Sequence, residues 1–317
     1  MVKQHLARRN EEGNRDPLMT MRWKKILFPP GRIALAVLLV GGSVAVAQIV
    51  VKALEGVLSL DGVAPAIYYI AYLIASVLVA YFVYRAYVHF VEKRAATELS
   101  GPGAPSELGV GMLVGFVLVS AIVVVLWLLG DYQITGLGVW TAVPVLLAND
   151  GAGAFVEEVL LRGLVFRISE KKLGTWIALA ISVVLFALLH LASGNATVTS
   201  VIVDGLEGGV LLSVAYVLTR GLWLAIGIHF AWDFAQDYVF GVTKGVKGMV
   251  GGRLDGPALL SGGNAGIEGS ILALVFCLMV GAYLLARAAR KGNILKPSRR
   301  RGVMKVRVAT EGRKPNA

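Results

Sequence analysis

Long runs of apolar residues, separated by short polar segments, make up most of the chain. Each run is about twenty residues long, which is the length of helix that crosses a hydrocarbon core of roughly 30 Å. We find no alternation of apolar and polar positions typical of a half-buried strand. Because unpaired backbone groups are costly in lipid, several such runs in one chain predict helices that pack together. The candidate spans are residues 33–52, 65–91, 108–130, 138–168, 174–192, 198–218, 221–240 and 270–288.

This pattern predicts an all-α fold, a polytopic transmembrane helical bundle of about eight spans. We expect a Gly-rich break inside residues 138–168 and a Gly-rich loop over residues 241–269. The chain then divides into a basic N-terminal tail (1–31), a first group of transmembrane helices (32–137), a second group (138–288), and a basic C-terminal tail (289–317) predicted to be disordered.

Composition favours a membrane protein over a soluble one. The 317 residues are 56% hydrophobic and only 16% charged, with a mean hydropathy of +0.71. A soluble domain of this length would need more polar residues to cover its surface. The single cysteine, Cys277, excludes an internal disulfide framework and a cysteine-based zinc cluster.

The net charge of +11 raises the question of a nucleic-acid partner. The excess Lys and Arg lie in the two tails and in short loops, where they set topology, and there is no repeat of basic and aromatic residues. We therefore expect the lipid bilayer as partner, and no nucleic acid. The positive-inside rule favours both termini in the cytoplasm, with the 241–269 loop as the one discordant segment. The expected location is a prokaryotic cell membrane, spanned several times.

Ionisable residues inside the candidate spans are the best indication of function. A charge at the bilayer centre costs about 2.5–3.5 kcal/mol on insertion scales, so such residues face the protein interior and usually have a function. Asp204 and Glu207 lie among glycines that allow close helix packing. They either line a polar cavity or lie near the end of a tilted helix. The full set is Glu157, Glu158, Arg162, His190, Asp204, Glu207, His229, Asp233 and Asp237.

The first group of these residues is Glu157-Glu158 followed by Arg162. Glu158 and Arg162 are four residues apart, on one face of a helix, and are expected to form an ion pair. Adjacent residues point about 100° apart, so Glu157 projects elsewhere without a local cation. A desolvated carboxylate of this kind can act as general base towards a water molecule.

The second and third groups are His190 at the end of an apolar run and His229 with Asp233. The spacing of four residues places His229 and Asp233 on one face, where the carboxylate could orient the imidazole, hold a water or bind a metal. Taken alone, each histidine could instead be a buried, hydrogen-bonded structural residue. Together, carboxylates and imidazoles from separate helices predict a water-activating site. The signatures GxSxG, HExxH and GxGD are absent, so serine, zincin and aspartyl chemistry lack support.

At these residues the sequence resembles the CAAX-protease and bacteriocin-processing (CPBP) family of intramembrane proteases, which includes the type II CAAX prenyl endopeptidases. The family pattern is EExxxR, then FxxxH, then HxxxN or a close variant, on successive helices. Here it is matched by residues 157–162, 186–190 and 229–233. Residues 266–270 resemble a Gly-Glu-Gly-Ser stretch found before the last helix of the family. The resemblance covers roughly residues 140–288 and implies that residues 138–288 form a catalytic transmembrane core.

The resemblance implies an intramembrane endopeptidase that acts on a membrane-associated protein or peptide. Glu157 would activate water with assistance from His190, while His229 and Asp233 would stabilise the tetrahedral intermediate or complete the site. Glu158 and Arg162 would fix the helix that carries Glu157. The residues permit zinc bound by His190, His229 and Glu157, and equally permit a glutamate-activated water with no metal.

One position departs from the family pattern. Asp233 lies where the prenyl endopeptidases have Asn, and an ionised Asp would repel an oxyanion that Asn could help to hold. Asp233 is therefore expected to be protonated, or to accept a hydrogen bond from His229 or contact a bound cation. This departure bears on the prenylated CAAX substrate more than on the hydrolytic site.

Two other functions are compatible with these residues. The same fold could serve as a non-catalytic membrane scaffold in immunity, sorting or regulation. Buried Glu, Asp and His also form proton relays in transporters, although the inverted repeats and paired broken helices of many transporters are not evident in the sequence.

Overall fold

The computed structural model describes residues 29–57, 65–138, 143–191, 197–243 and 248–298. Each predicted apolar segment coincides with a helix, which confirms the all-α, polytopic fold. We number the helices in chain order: α1 Pro29–Val57, α2 Pro65–Phe90, α3 Ala104–Leu129, α4 Val143–Glu158, α5 Arg167–Leu173, α6 Thr175–His190, α7 Val198–Thr219, α8 Trp223–Phe234, α9 Ala258–Ser261 and α10 Ile271–Arg290.

Five helical segments are long and apolar enough to cross a membrane, and α6 is a shorter apolar helix. α7 differs from the others because most of its length is buried inside the protein. The five segments are Pro30–Leu54, Ile67–Phe90, Ala104–Leu129, Val198–Thr219 and Gly263–Arg290. The figure of eight spans therefore stays a prediction, while the membrane-protein class is established.

The Gly-rich break predicted inside residues 138–168 does not coincide with the irregular part of the helix. α4 runs without interruption through Gly151 and Gly153. Irregular geometry comes later, where the π-helical segment Val159–Phe166 joins α4 to α5. A second π-helical segment, Ala235–Val239, continues α8. Such segments are frequent at functional sites, and here each one follows a pair of candidate site residues.

The sequence analysis missed one small sheet. Strands β1 (Tyr132–Leu137) and β2 (Val250–Leu254) pair antiparallel, and β2 lies inside the region predicted as loop. Tyr132 donates a hydrogen bond to the carbonyl of Phe240 at 2.9 Å, which connects the sheet to the end of the second π-helical segment. The strands are short, rich in glycine and more than a hundred residues apart, so no local pattern indicates their pairing.

Glycine permits the closest helix contact, between α3 and α8. A Cβ atom at Gly111 would collide with the carbonyl of Leu224, and one at Gly115 with the carbonyl of Ile228. Gly227 of α8 faces the carbonyl of Leu108 in the same way. Small residues of this kind let helix backbones approach closely in membrane proteins. The crossing fixes the position of α8, which carries His229.

A cluster of charged side chains lies just after the end of α2 and includes Arg167, the first residue of α5. Arg167 donates to both carboxylate oxygens of Glu92, at 2.7 and 2.9 Å, and lies 2.9 Å from Glu98. Arg94 binds Glu92 and Glu98 at 2.6 and 2.5 Å. Tyr84 donates a short hydrogen bond to Glu98. These contacts link the end of α2 to α5, directly after the π-helical segment.

The first residues of the predicted C-terminal tail are ordered, contrary to the prediction. Residues 293–298 lie against the start of α6, where Leu295 exchanges hydrogen bonds with Thr175 at 2.8 and 3.0 Å. Asn293 donates to the carbonyls of Val217 and Leu218 at 2.9 and 3.1 Å. These bonds occupy carbonyls at the end of α7 that have no partner within the helix. The remainder of this tail and most of the N-terminal tail lie outside the described residues.

Candidate active site

A buried ion pair forms the base of the site. Glu158, the last residue of α4, accepts a hydrogen bond from Arg162 at 2.7 Å, and neither side chain has any exposed surface. The predicted pairing at a spacing of four residues is therefore present. The other terminal nitrogen of Arg162 donates to the carbonyl of Gly208 at 2.7 Å, and the guanidinium lies over the ring of Phe186. The pair joins α4, α6 and α7.

His229 contacts the same carboxylate. Its Nδ1 lies 3.0 Å from Glu158 Oε1, the oxygen that also accepts from Arg162. Because a carboxylate paired with Arg can only accept, we assign the proton of this bond to Nδ1. The sequence analysis did not foresee this contact, which joins residues 71 positions apart. Glu158 thus orients the imidazole, a role that the sequence analysis considered only for Asp233.

The free nitrogen of His229 faces two further carboxylates. Nε2 lies 3.4 Å from Asp233 Oδ2 and 4.0 Å from Glu157 Oε2. The side chain of Glu157 is 42% exposed and that of Asp233 is 25% exposed, whereas Glu158 has no exposure. The two adjacent glutamates therefore occupy different environments, as their angular separation on the helix predicts. Glu157 presents its carboxylate to an open space, whereas Glu158 is enclosed and contacts Arg162 and His229.

His190, at the C-terminus of α6, completes the group. Its Nδ1 lies 2.9 Å from the carbonyl of Phe186, one turn earlier. The ring of Phe186 stacks on His190 with centroids 4.5 Å apart and lies 6.3 Å from the ring of His229. The two imidazoles thus share an aromatic neighbour, and Phe186 of the FxxxH pattern positions both.

Two cavities meet at His190. The first, which we call the acidic cavity, has a volume of about 40 Å³. The second, the apolar groove, has a volume of about 1030 Å³ and is bounded by α1, α6 and the helix of Glu157. The acidic cavity is lined by Phe186, His190, Asp204, Glu207, His229, Asp233 and Glu268, among others. Glu157 lines the apolar groove, and His190 lines both.

The acidic cavity settles where Asp204 and Glu207 lie, and it adds a residue. Both acids face the cavity and are at most 6% exposed, in agreement with the predicted polar cavity. Glu268 enters from the short 3₁₀ segment Gly263–Gly269 before α10 and accepts a hydrogen bond from Gln236 at 2.6 Å. Its only sequence signal was its place in the Gly-Glu-Gly-Ser stretch.

The arrangement of donors does not fit a preformed zinc site. Within the described residues, no three or more His, Cys, Asp or Glu side chains are placed to hold a metal ion. Nδ1 of His229 is bonded to Glu158 and Nδ1 of His190 lies at a backbone carbonyl, so only Nε2 of each imidazole could hold a cation.

Comparison with known families agrees with the geometry. Residues 138–235 match the family model "Type II CAAX prenyl endopeptidase Rce1-like". The match covers less than a third of the 317 residues, yet it includes all six candidate site residues and the first π-helical segment, and it ends at the first residue of the second. It confirms the resemblance to CAAX proteases over this segment, and the Gly-Glu-Gly-Ser stretch lies outside it. No curated protein and no solved structure matches the chain.

Proposed function

We propose that this protein, whose residues 138–235 match the type II CAAX prenyl endopeptidase family model, is an intramembrane endopeptidase. It hydrolyses a peptide bond of a membrane-associated protein or peptide by means of a water molecule that Glu157 activates. The observation that carries this proposal is the partly exposed carboxylate of Glu157, 4.0 Å from His229 Nε2 and on the wall of a large apolar groove.

Glu157 is the general base of the proposed reaction. Its carboxylate takes a proton from water as the water oxygen attacks the carbonyl carbon of the scissile bond. The fully buried, paired carboxylate of Glu158 is not available for this step. After the C–N bond breaks, the proton held by Glu157 passes to the leaving amine, so that protons and electrons balance.

His229, Asp233 and His190 act on the tetrahedral intermediate. Preorganised donors aimed at a developing oxyanion stabilise acyl-transfer transition states. Glu158 holds the imidazole of His229 at Nδ1, which directs Nε2 towards Glu157 and Asp233. His229 donates from Nε2 to the oxyanion as the doubly protonated imidazolium, which these surrounding carboxylates stabilise. His190 lies at the meeting point of the two cavities, where a substrate backbone would pass. Asp233 acts through His229, as a positioning residue.

The apolar groove supports a substrate with a large apolar group. Its walls are mostly Leu, Ile, Val and Ala side chains, and its volume would accommodate a lipid chain or part of an apolar helix. A prenylated, CAAX-type protein is one such substrate. An unmodified membrane peptide is another. Because Asp233 replaces the Asn of the prenyl endopeptidases, we propose both classes of substrate. We further propose a prokaryotic cell membrane with both termini cytoplasmic.

Purified protein in lipid nanodiscs, incubated with quenched fluorescent peptides, tests the proposal. The peptides should be prenylated in one set and unmodified in the other, with wild type beside Glu157→Gln and each sample with and without a zinc chelator. We expect cleavage by wild type that the variant loses and the chelator spares. Loss of cleavage in the presence of the chelator would show that the reaction depends on a metal. Full activity of Glu157→Gln would exclude Glu157 as the general base.

A further inference from the structure

The acidic cavity contains more carboxylates than the hydrolytic mechanism uses. Asp204 and Glu207 are three residues apart on α7, and therefore on neighbouring faces, and Glu268 approaches from the segment before α10. All three carboxylates line the same small cavity. None of them contacts Glu157 in the geometry described above.

Two of these carboxylates each have an oxygen without a partner. Oδ1 of Asp204 and Oε2 of Glu207 are buried and accept no hydrogen bond from the residues that the structure describes. The residues are 6% and 5% exposed, so bulk solvent does not satisfy them. Buried polar atoms of this kind nearly always have a partner, and here they line a cavity large enough for one.

A cation would satisfy these oxygens. Among the described residues that line the cavity there is no Lys or Arg, while Asp204, Glu207, Glu268 and Asp233 are all acids. Of the described residues on its walls, the basic ones are the two imidazoles of the candidate active site. A group that donates several hydrogen bonds and carries a positive charge would offset the cost of burying these acids.

The size and donor geometry favour an ammonium group. A volume of about 40 Å³ holds a few water-sized groups, which suits an ammonium and is small for a guanidinium. The three N–H donors of a lysine ammonium match three carboxylates that offer acceptors. Two of these acceptors, Oδ1 of Asp204 and Oε2 of Glu207, are the oxygens without a partner.

The cavity continues from the hydrolytic site, because His190, His229 and Asp233 form one of its walls. We propose that it is a specificity subsite for a lysine side chain of the substrate, within two residues of the scissile bond. The apolar anchor of the substrate lies in the groove on the other side of His190. This inference rests on the proposed function and narrows its substrate class to membrane-anchored peptides with a lysine beside the cleavage point.

Three peptides that differ only at this position test the subsite: lysine, its neutral analogue norleucine, and arginine. Wild type is expected to cleave the lysine peptide with a kcat/KM at least about tenfold above that of norleucine, as charge-assisted hydrogen bonds would give, and above that of arginine. In Glu207→Gln, and in Asp204→Asn, the ratio of lysine to norleucine falls towards one. In the control Asp255→Asn, at an exposed strand end, the ratio stays as in wild type.

Equal rates for lysine and norleucine in wild type would overturn the subsite and leave the endopeptidase standing. If no peptide is cleaved, the proposed function fails, and binding decides the subsite. Anisotropy with the intact peptides should then show tighter binding of lysine than norleucine, lost in Glu207→Gln, and equal binding overturns it. A stoichiometric divalent cation that Glu207→Gln releases would also overturn it, since the cavity would then be a metal site.

Discussion

At the residue scale, burial separates two adjacent glutamates that the sequence alone cannot rank. Glu158 is fully enclosed and contacts both Arg162 and His229, whereas Glu157 faces a groove. Removal of one partner from a buried ion pair leaves an uncompensated charge and is strongly destabilising. Loss of a partly exposed carboxylate has a much smaller effect on stability.

The first prediction follows from that difference. Glu158→Gln should lower the free energy of unfolding by about 3–5 kcal/mol, because the charge of Arg162 loses its partner. Glu157→Gln should change it by no more than about 0.5 kcal/mol, although activity is lost. Unfolding of the two purified variants in detergent, followed by circular dichroism, measures both. Equal stability of the two variants would contradict the assignment of supporting and reacting residues.

The second prediction concerns the departure from the family pattern. Asp233→Asn keeps an acceptor near His229 Nε2, 3.4 Å away in the native protein, and removes a carboxylate from the site. We expect the variant to retain activity within about tenfold, and Asp233→Ala to lose much more, because only the alanine removes the positioning contact. The kcat of both variants on one peptide checks this. Similar loss in both would show that the carboxylate itself is required.

At the scale of secondary-structure elements, the position of α8 depends on its glycine-mediated contact with α3. The glycines recur four residues apart, as Gly111 and Gly115, and face a backbone rather than a side chain. A backbone cannot move aside as the end of a long side chain can, so an added methyl group must separate the two helices. Any separation moves His229 relative to Glu157 and Glu158.

The third prediction tests this contact with a matched pair of substitutions on α3. Gly115→Ala should destabilise the protein by about 1–3 kcal/mol, the usual effect of overpacking, and lower kcat. Gly109→Ala should leave both unchanged or slightly improve stability, since nothing lies within 4 Å of the added atom and alanine favours helix. The melting temperature and the kcat of both variants test this prediction. Equal effects of the two substitutions would show that the contact between α3 and α8 does not determine the position of His229.

The fourth prediction concerns the charge cluster that joins the end of α2 to α5. Burial raises the pKa of Glu92 and Glu98, but their bonds to Arg167 and Arg94 outweigh burial and hold both values below the usual 4.5. A lowered pKa stabilises the fold above the unfolded value and ceases to do so as pH falls through the folded value. The melting temperature should therefore fall below about pH 4.5, and less so in Glu92→Gln. The same dependence of melting temperature on pH in wild type and in Glu92→Gln would contradict this prediction.

At the scale of the whole molecule, the sequence predicted what local periodicity and spacing determine. Helix positions follow from apolar runs, and the Glu158–Arg162 pair follows from the helical repeat. The bond between Glu158 and His229 joins two helices far apart in sequence, and the β1–β2 pairing does the same for two strands. These contacts depend on the packing of the bundle, which no short pattern in the sequence encodes.

The same limit explains the acidic cavity. The sequence identifies Asp204 and Glu207 as ionisable residues in a span, but their convergence with Glu268 and His190 requires the arrangement of α6, α7 and α10. Local spacing also could not place the π-helical segment after Glu158, because it is an irregularity of an otherwise helical pattern. The candidate residues were therefore predictable, whereas the contacts that assign their roles were not.

The most direct test of the central claim is the kcat of wild type and Glu157→Gln on one cleaved peptide in a lipid bilayer, with Asp255→Asn as control. A general base contributes about 10²- to 10⁴-fold to a rate. We predict a loss of that size in Glu157→Gln, with folding and peptide binding intact, and no loss in the control. A kcat within threefold of wild type would contradict the account, since water would then be activated elsewhere.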